Sequence, residues 1–365
     1  MDSLRYYIAF NLVQGIGPAR LRGLLDAFGD IGRAWHASAD ALVAAGLDRR
    51  SLDNLRETRA RVDLEDELRK IAAAGVRVFT WESADYPQLL REIPAPPPVL
   101  YVRGRLEPED AWAVAVVGTR RASAYGREVT HRLASELARS GITVVSGLAR
   151  GIDGVAHRAA LEAGGRTLAV LGCGVDQVYP PEHRELARQI AAHGALISEY
   201  PLGTPPEAGN FPPRNRLISG LSLGVLITEA GRGSGALITA DYAAEQGRDV
   251  FAVPGPIFAA ASGGTNRLIQ DGAKVVLETA DILRELNLSM AAEQSQAREV
   301  LPASEIEATL LSHLEAGPVH VDELGRAAGL PIAQVTSTLA LMELKGMIRQ
   351  VGGMKYVAAR ETGGG

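Results

Sequence analysis

The hydrophobic pattern changes character twice along the chain. From residue 109 to about 287, short apolar runs read "AVAVVG", "ITVVSG", "RTLAVLG", "ALISEY", "LGVLITEA", "DVFAVPG" and "AKVVLE". Amphipathic stretches such as Tyr125–Ser140, Pro181–His193 and Gly235–Gly247 lie between them. Strands that are apolar throughout, with helices between, predict a parallel sheet covered on both faces. The expected class is therefore α/β, a Rossmann-like doubly wound and mostly parallel sheet at 109–287. Ligands of such sheets bind beyond the carboxyl ends of the strands, where the strand order reverses.

Residues 1–108 read as helical and then extended. In "QGIGPARLRGLLDAFGD" the turn Gly15-Ile16-Gly17 precedes Pro18 at a helix start, with leucines at helical spacing. This predicts an N-terminal helical domain of helix-hairpin-helix or SAM-like type, whose turn amides can hold a phosphate; a small packed helical bundle is the other reading. "IPAPPPVLYVRG" predicts an extended connection into the next domain. Residues 288–303 read as a polar linker. Residues 304–358 predict three short helices and a hairpin, "MIRQVGGMKYVA", turning over Gly352-Gly353, a winged-helix-like domain.

Charge refines this picture. The chain of 365 residues carries a formal net charge of −5, which argues against coating nucleic acid with its whole surface. Local charge therefore decides. The would-be recognition helix, "PIAQVTSTLALMELKG", holds one basic residue, Lys345, with Glu343 nearby. Reading a DNA groove needs cations for phosphates and long polar side chains for base edges, so this helix predicts protein interaction or regulation. A single cysteine, Cys173, rules out an internal disulfide framework and fits a reducing compartment. The N-terminus lacks a basic n-region with a long apolar core, and no apolar run reaches spanning length. A cytoplasmic protein without membrane insertion is expected.

Candidate chemistry concentrates at the strand ends. "GTRRAS" carries Arg120 and Arg121, "SGLARGIDGVAH" carries Arg150, and "NFPPRNR" carries Arg214 and Arg216. Glycines let backbone approach an anion, and helix N-termini offer free amides. Five arginines from three loops are expected to converge on one side of the sheet, with the carboxylates Asp153 and Glu207 in or beside those loops. Arginine pairs with phosphate through two parallel donors. Phe211, if exposed, offers a base a stacking face, and a positive groove with an aromatic platform is the general solution for single-stranded nucleic acid.

Other chemistries find less support. "VVGTRRASAYG" lacks the dinucleotide fingerprint and a Walker A sequence is missing, so no cofactor is expected. Cys173 reads as a small buried filler. His157 and His183 have no acid partner visible in the sequence, and no cluster has metal-ligand spacing. Glu229, at a strand end, caps a loop or pairs with an arginine sooner than it serves as a base.

These motifs together, from about Ala113 to Lys274, resemble the DNA-processing protein A family (DprA, also called Smf). The resemblance rests on "VVGTRRAS", "VVSGLARGIDGVAHRAAL", "LGCGVDQVYPPEH", "ISEYPLGTPPEAGNFPPRNRLISGLS" and "TEAGRGSGALITADYAAEQGRDVFAVPGP". It implies a homodimeric recombination mediator of natural transformation that is not an enzyme. Such proteins bind incoming single-stranded DNA, displace or bypass single-strand-binding protein, and load the RecA recombinase. The implied pocket maps onto Arg120, Phe211, Arg214 and Arg216, with Gly147, Arg150, Gly151 and Asp153 shaping its wall and Arg121, Asn210 and Asn215 beside it. Some relatives place a lysine shortly before the aromatic residue, where Glu207 and Ala208 stand here. The alternative is a nucleotide-binding enzyme, because "TEAGRGSGALITA" is loosely similar to the glycine loop of nucleoside-monophosphate phosphoribohydrolases. Those need a glutamate on the following helix, which here opens with Leu237, Ile238 and Thr239 and reaches its first acid at Asp241.

Overall fold

The computed structural model describes residues 2–288, 304–314, 317–344, 347–351 and 354–358. Two compact units are present, Met1–Ser289 and Met290–Gly365. Most of the expected linker, Lys345 and the Gly352-Gly353 turn lie outside the described residues.

The first unit is built on a nine-stranded sheet. Its strands are β1 (Val76–Thr80), β2 (Val99–Gly104), β3 (Ala113–Val117), β4 (Thr143–Ser146), β5 (Thr167–Val170), β6 (Ala195–Ser198), β7 (Gly224–Ile227), β8 (Asp249–Ala252) and β9 (Lys274–Val275). The spatial order is β1-β2-β6-β5-β4-β3-β7-β8-β9. All seven apolar runs become the parallel strands β3–β9, and β3 to β7 are buried along their whole length. Such burial explains why the runs of β3 to β7 are mostly apolar instead of alternating.

The extended connection turns out to be sheet. β2 pairs antiparallel with β6, with Tyr101 opposite Ser198, and β1 pairs antiparallel with β2. Proline removes backbone donors only as far as Pro98, and Val99–Val102 behind it is buried at every position like the parallel strands. The boundary expected at residue 108 therefore falls inside the first compact unit. The N-terminal helices are α1 (Asp2–Asn11), α2 (Pro18–Phe28), α3 (Ile31–His36), α4 (Ala39–Ala44), α5 (Arg49–Arg61) and α6 (Leu64–Ala73). Tyr7, Phe10, Leu21, Trp35 and Leu55 from them share one core with Val99, Tyr101, Leu171 and Leu196 of the sheet region. The Tyr101 hydroxyl donates to Asn11 Oδ1 at 3.1 Å, and Asn11 Nδ2 donates to the Glu199 carbonyl at 3.2 Å.

A short turn of helix, α7 (Gln88–Arg91), precedes β2. The crossovers are α8 (Ala124–Arg139), α9 (Ile152–Glu162), α10 (Arg184–His193), α11 (Phe211–Gly220), α12 (Ala236–Glu245) and α13 (Gly263–Gln270), and α14 (Thr279–Glu285) follows β9. The chain steps outward from β3 to β6, then returns through α11 to place β7 on the other side of β3. The strand order therefore reverses between β3 and β7, where a doubly wound fold takes its ligand.

The second unit has the winged-helix pattern. Its helices are α15 (Glu305–Leu314), α16 (Val321–Ala328) and α17 (Ile332–Leu344); its strands are β10 (Val319–His320), β11 (Ile348–Gln350) and β12 (Lys355–Ala358), in the order β10-β12-β11. Leu310, Leu324, Val335, Leu339, Met342 and Tyr356 fill its core. No basic side chain stands among the described residues of α17, while Ile332 and Leu341 are exposed on it.

Candidate nucleic-acid interface

Three loops meet beyond the carboxyl ends of β3, β4 and β6. The loop after β3 runs into α8, whose N-cap Ser123 accepts from the Gly126 N–H at 2.9 Å. Glu229, buried behind it, accepts from the Ser123 N–H at 2.8 Å, so this carboxylate caps the loop. The loop after β4 is tightly held. Asp153 accepts from the backbone N–H groups of Gly147 at 3.1 Å and Ala149 at 3.3 Å, and His183 Nδ1 donates to the Leu148 carbonyl at 2.9 Å. Leu148 between them is buried in the left-handed region at φ +56°, a conformation that persists only where surrounding structure enforces it. Gly151 closes the loop at φ +74°; a Cβ there would come within 2.3 Å of the Thr119 carbonyl oxygen, so only glycine lets the two loops touch.

The third contribution comes from the start of α11. Proline at its first positions fits a helix start, because the missing N–H has no partner there. Phe211 is half-buried over Gly172, where a Cβ would lie 2.9 Å from the ring. Its ring lies 5.6 Å from that of Tyr179 at a 39° tilt. The guanidinium carbons of Arg120 and Arg214 each lie 5.8 Å from the Phe211 centroid, within reach of a cation–π attraction. Beside this platform, between β3 and β7, opens a cavity of about 420 Å³ lined by Thr119, Arg120, Arg121, Asp153, Asn215 and the Gly233–Ala236 turn among others.

The five arginines do not all converge. Arg214 is 4% exposed and donates to the carbonyls of Gly147, at 2.8 Å, and Val170. It braces the floor. Burial pulls its pKa down to about 10, against the attraction of Asp153, and burial likewise raises the Asp153 carboxyl, against the attraction of Arg214. Arg216 faces elsewhere. Its guanidinium holds the Glu199 carboxylate through bonds of 2.9 and 2.6 Å, and it lines a separate cleft of about 550 Å³ with Gly15, Gly17 and Pro18. The reason is helical geometry: α11 starts at Phe211, so positions 214 and 216 point to opposite sides. Arg150 stands at the rim with Tyr179 and Phe211, its guanidinium tied to Glu182 at 2.5 and 3.2 Å. Arg120 and Arg121 are exposed at the cavity and form no side-chain ion pair among the described residues. Asn215 accepts from Arg214 Nε at 3.3 Å and donates to the Gly235 carbonyl at 3.4 Å, and the Asn210 carbonyl accepts from Tyr200 at 3.4 Å.

The catalytic candidates are all occupied structurally. Cys173 is buried, its thiol pushed up to about 11 by burial and donating to the Gln177 carbonyl at 3.3 Å. His157 is buried with Nδ1 2.7 Å from the Thr167 hydroxyl, and burial lowers its pKa to about 3. Asp241 is exposed on α12 and outside the cavity lining. Among the described residues no three His, Cys, Asp or Glu side chains gather in a way that could hold a metal ion. No helix among them is long and apolar enough to cross a membrane. Sequence reasoning missed Tyr179, in "QVYPPEH", and did not assign the Gly233–Thr239 segment to the cavity; the signal was a glycine turn opening a helix.

Fold and cavity define a class: a doubly wound α/β protein with an arginine- and aromatic-lined cavity at its switch point. The chain belongs to the DNA recombination-mediator protein A family, which it matches over residues 77–287, and residues 281–354 match the DprA winged helix domain. It is 37% identical to Protein Smf of Synechocystis, covering 96% of this chain and 98% of that one, and 38% identical to Protein Smf of Escherichia coli, covering 94% and 95%. The X-ray structure of DNA processing protein A from Streptococcus pneumoniae superimposes with a TM-score of 0.69 at 35% identity, covering 77% of this chain and 97% of that one. DNA processing protein A from Helicobacter pylori, described by its single-stranded DNA binding mode, gives 0.52 at 32% identity, covering 58% and 96%.

Proposed function

We propose that the chain binds single-stranded DNA by stacking a base on Phe211 and holding the adjoining backbone with Arg120 and Arg121. The observation that carries this reading is the half-buried Phe211 ring between two guanidinium groups at the mouth of the switch-point cavity. A ring with cations beside it and space before it suits a flat, unpaired base joined to phosphate. Arg214, Asp153, Gly147 and Gly151 serve as the rigid wall, Asn210 and Asn215 fix the turn into α11, and Arg150 stands at the rim. Arg216 lies outside this grip.

Family membership supports the wider role: a mediator in natural transformation that receives incoming strands, displaces single-strand-binding protein and loads RecA, acting by binding and without catalysis. The β8–β9 edge supports a homodimer. Ile257 is 81%, Phe258 96% and Leu277 75% exposed there, and an apolar edge of this kind needs a cover. A second copy supplies one.

The test is fluorescence anisotropy with a labelled oligo-dT against a duplex of equal length. Single strands are expected to bind more tightly, and Phe211→Ala is expected to weaken them by about 1–3 kcal/mol. Equal affinity for both forms, or an unchanged affinity in a folded Phe211→Ala variant, removes the stacking reading.

A further inference from the structure

The cavity of about 420 Å³ that Arg120 and Phe211 line is also lined by Gly233, Ser234, Gly235 and the start of α12. α12 is ten residues long; its N-cap Gly235 has no side chain to cap it, and Ser234 Oγ accepts from the Ala236 N–H at 3.3 Å, which leaves the Gly235 N–H open. The first N–H groups of a helix are without intrahelical partners and carry the positive end of its dipole. Gly233 and Gly235 are not required by the backbone: neither has positive φ, and Gly235 sits at φ −62° and ψ −13°. Packing does not require them either, since a Cβ at each would meet nothing within 4 Å. What they keep is room at the helix end, the arrangement that lets backbone approach a ligand. The independent sign is Thr239. It is 1% exposed, it lines the cavity, and its hydroxyl has no hydrogen-bond partner among the described residues.

We propose that the α12 end of the cavity is a phosphate site for a nucleotide, with the Gly235 amide and the Thr239 hydroxyl as donors. It deepens the strand-binding reading above: a base on Phe211 and a phosphate at α12 would share one cavity. The phosphate belongs either to the bound strand or to a free nucleotide.

The full chain is titrated with 3′-labelled oligo-dT, and thymidine 5′-monophosphate and thymidine are added as competitors. Gly235→Leu adds bulk at the helix end, where a Cβ meets nothing within 4 Å, and Thr239→Val exchanges the hydroxyl for a methyl. Each is expected to keep the wild-type circular dichroism spectrum and to weaken oligo-dT binding about tenfold or more. Competition by the monophosphate but not thymidine, lost in Gly235→Leu, assigns a free nucleotide; no competition, with weakened oligo-dT binding in the variants, assigns a phosphate of the strand. Folded variants that bind oligo-dT and monophosphate like the wild type overturn the site, and Thr239→Val decides alone if Gly235→Leu misfolds. The two readings fail separately. Phe211→Ala weakening the strand while the α12 variants do not leaves stacking standing and removes the phosphate site. A wild type that binds no oligo-dT but binds monophosphate through α12 does the reverse, and binding of neither removes both.

Discussion

Arg214 and Arg216 stand two positions apart on α11 and hold different partners: the first backbone carbonyls at the strand ends, the second Glu199. Replacing each therefore has a different signature. For single strands, log affinity falls with log salt at about 0.7 per neutralised phosphate. Arg120→Ala should make that slope about 0.7 shallower, whereas Arg216→Ala should leave it unchanged and show a modest stability loss of about 1–3 kcal/mol as Glu199 loses its partner. Arg214→Ala should cost about 3 kcal/mol, because it leaves the Asp153 charge buried without its cation. Salt-series anisotropy and urea unfolding of the three variants separate these roles. His157 gives a pH prediction. Its folded pKa of about 3 lies below the ordinary value of 6.5, so the neutral ring's contribution is complete above pH 6.5 and lost as pH falls toward 3. Between those limits each unit should cost the wild type about 1.4 kcal/mol more than His157→Asn, in which an amide replaces the ring donor facing Thr167. Urea unfolding at pH 7, 6 and 5 checks it; parallel curves would mean His157 protonates without penalty.

Single elements carry the site's geometry. α11 delivers Phe211 and Arg214 together, since positions three apart share a helix face. α9 anchors the loop after β4 through Asp153 in its first turn. By contrast α17 is a helix with the place of a DNA reader and little of its chemistry, as Ile332 and Leu341 are exposed and no described residue of it is basic. Deleting Ser304–Gly365 is therefore expected to leave oligo-dT affinity within about threefold of the full chain, since removing phosphate contacts would weaken binding and flatten its salt slope. A tenfold loss with the first unit folded would place the winged helix on DNA.

Across the molecule, the sheet ends in edges of different kinds. β1 and β2 extend it antiparallel on one side, under helices α1–α6. The other side stops at β9, two residues long, with Leu277 shortly after it and Phe258 on the loop between β8 and α13, both largely exposed. If a second copy covers this edge, the double variant Phe258→Asp, Leu277→Asp should run as a monomer in light scattering. Its circular dichroism should match the wild type, because both side chains already face water. A wild type that is monomeric at high concentration would remove the dimer.

The parallel strands were legible because burial along a whole strand leaves a continuous apolar run, and the seven runs became β3–β9. The winged-helix pattern and the arginine-bearing strand ends were legible for the same local reason: turns, caps and glycines act over a few residues. β2 was hidden because a proline run masked its start, and its pairing with β6 joins residues nearly a hundred positions apart. Which arginines meet was decided only by tertiary structure. Position along α11 turned Arg216 toward Glu199, and a carboxylate far away in sequence, Glu182, tied Arg150. Phe211 likewise gained Tyr179 and Arg120 from other loops. Sequence specifies which side chains are available near a strand end; the direction each points, and the partner that claims it, follows from packing between segments distant in the chain.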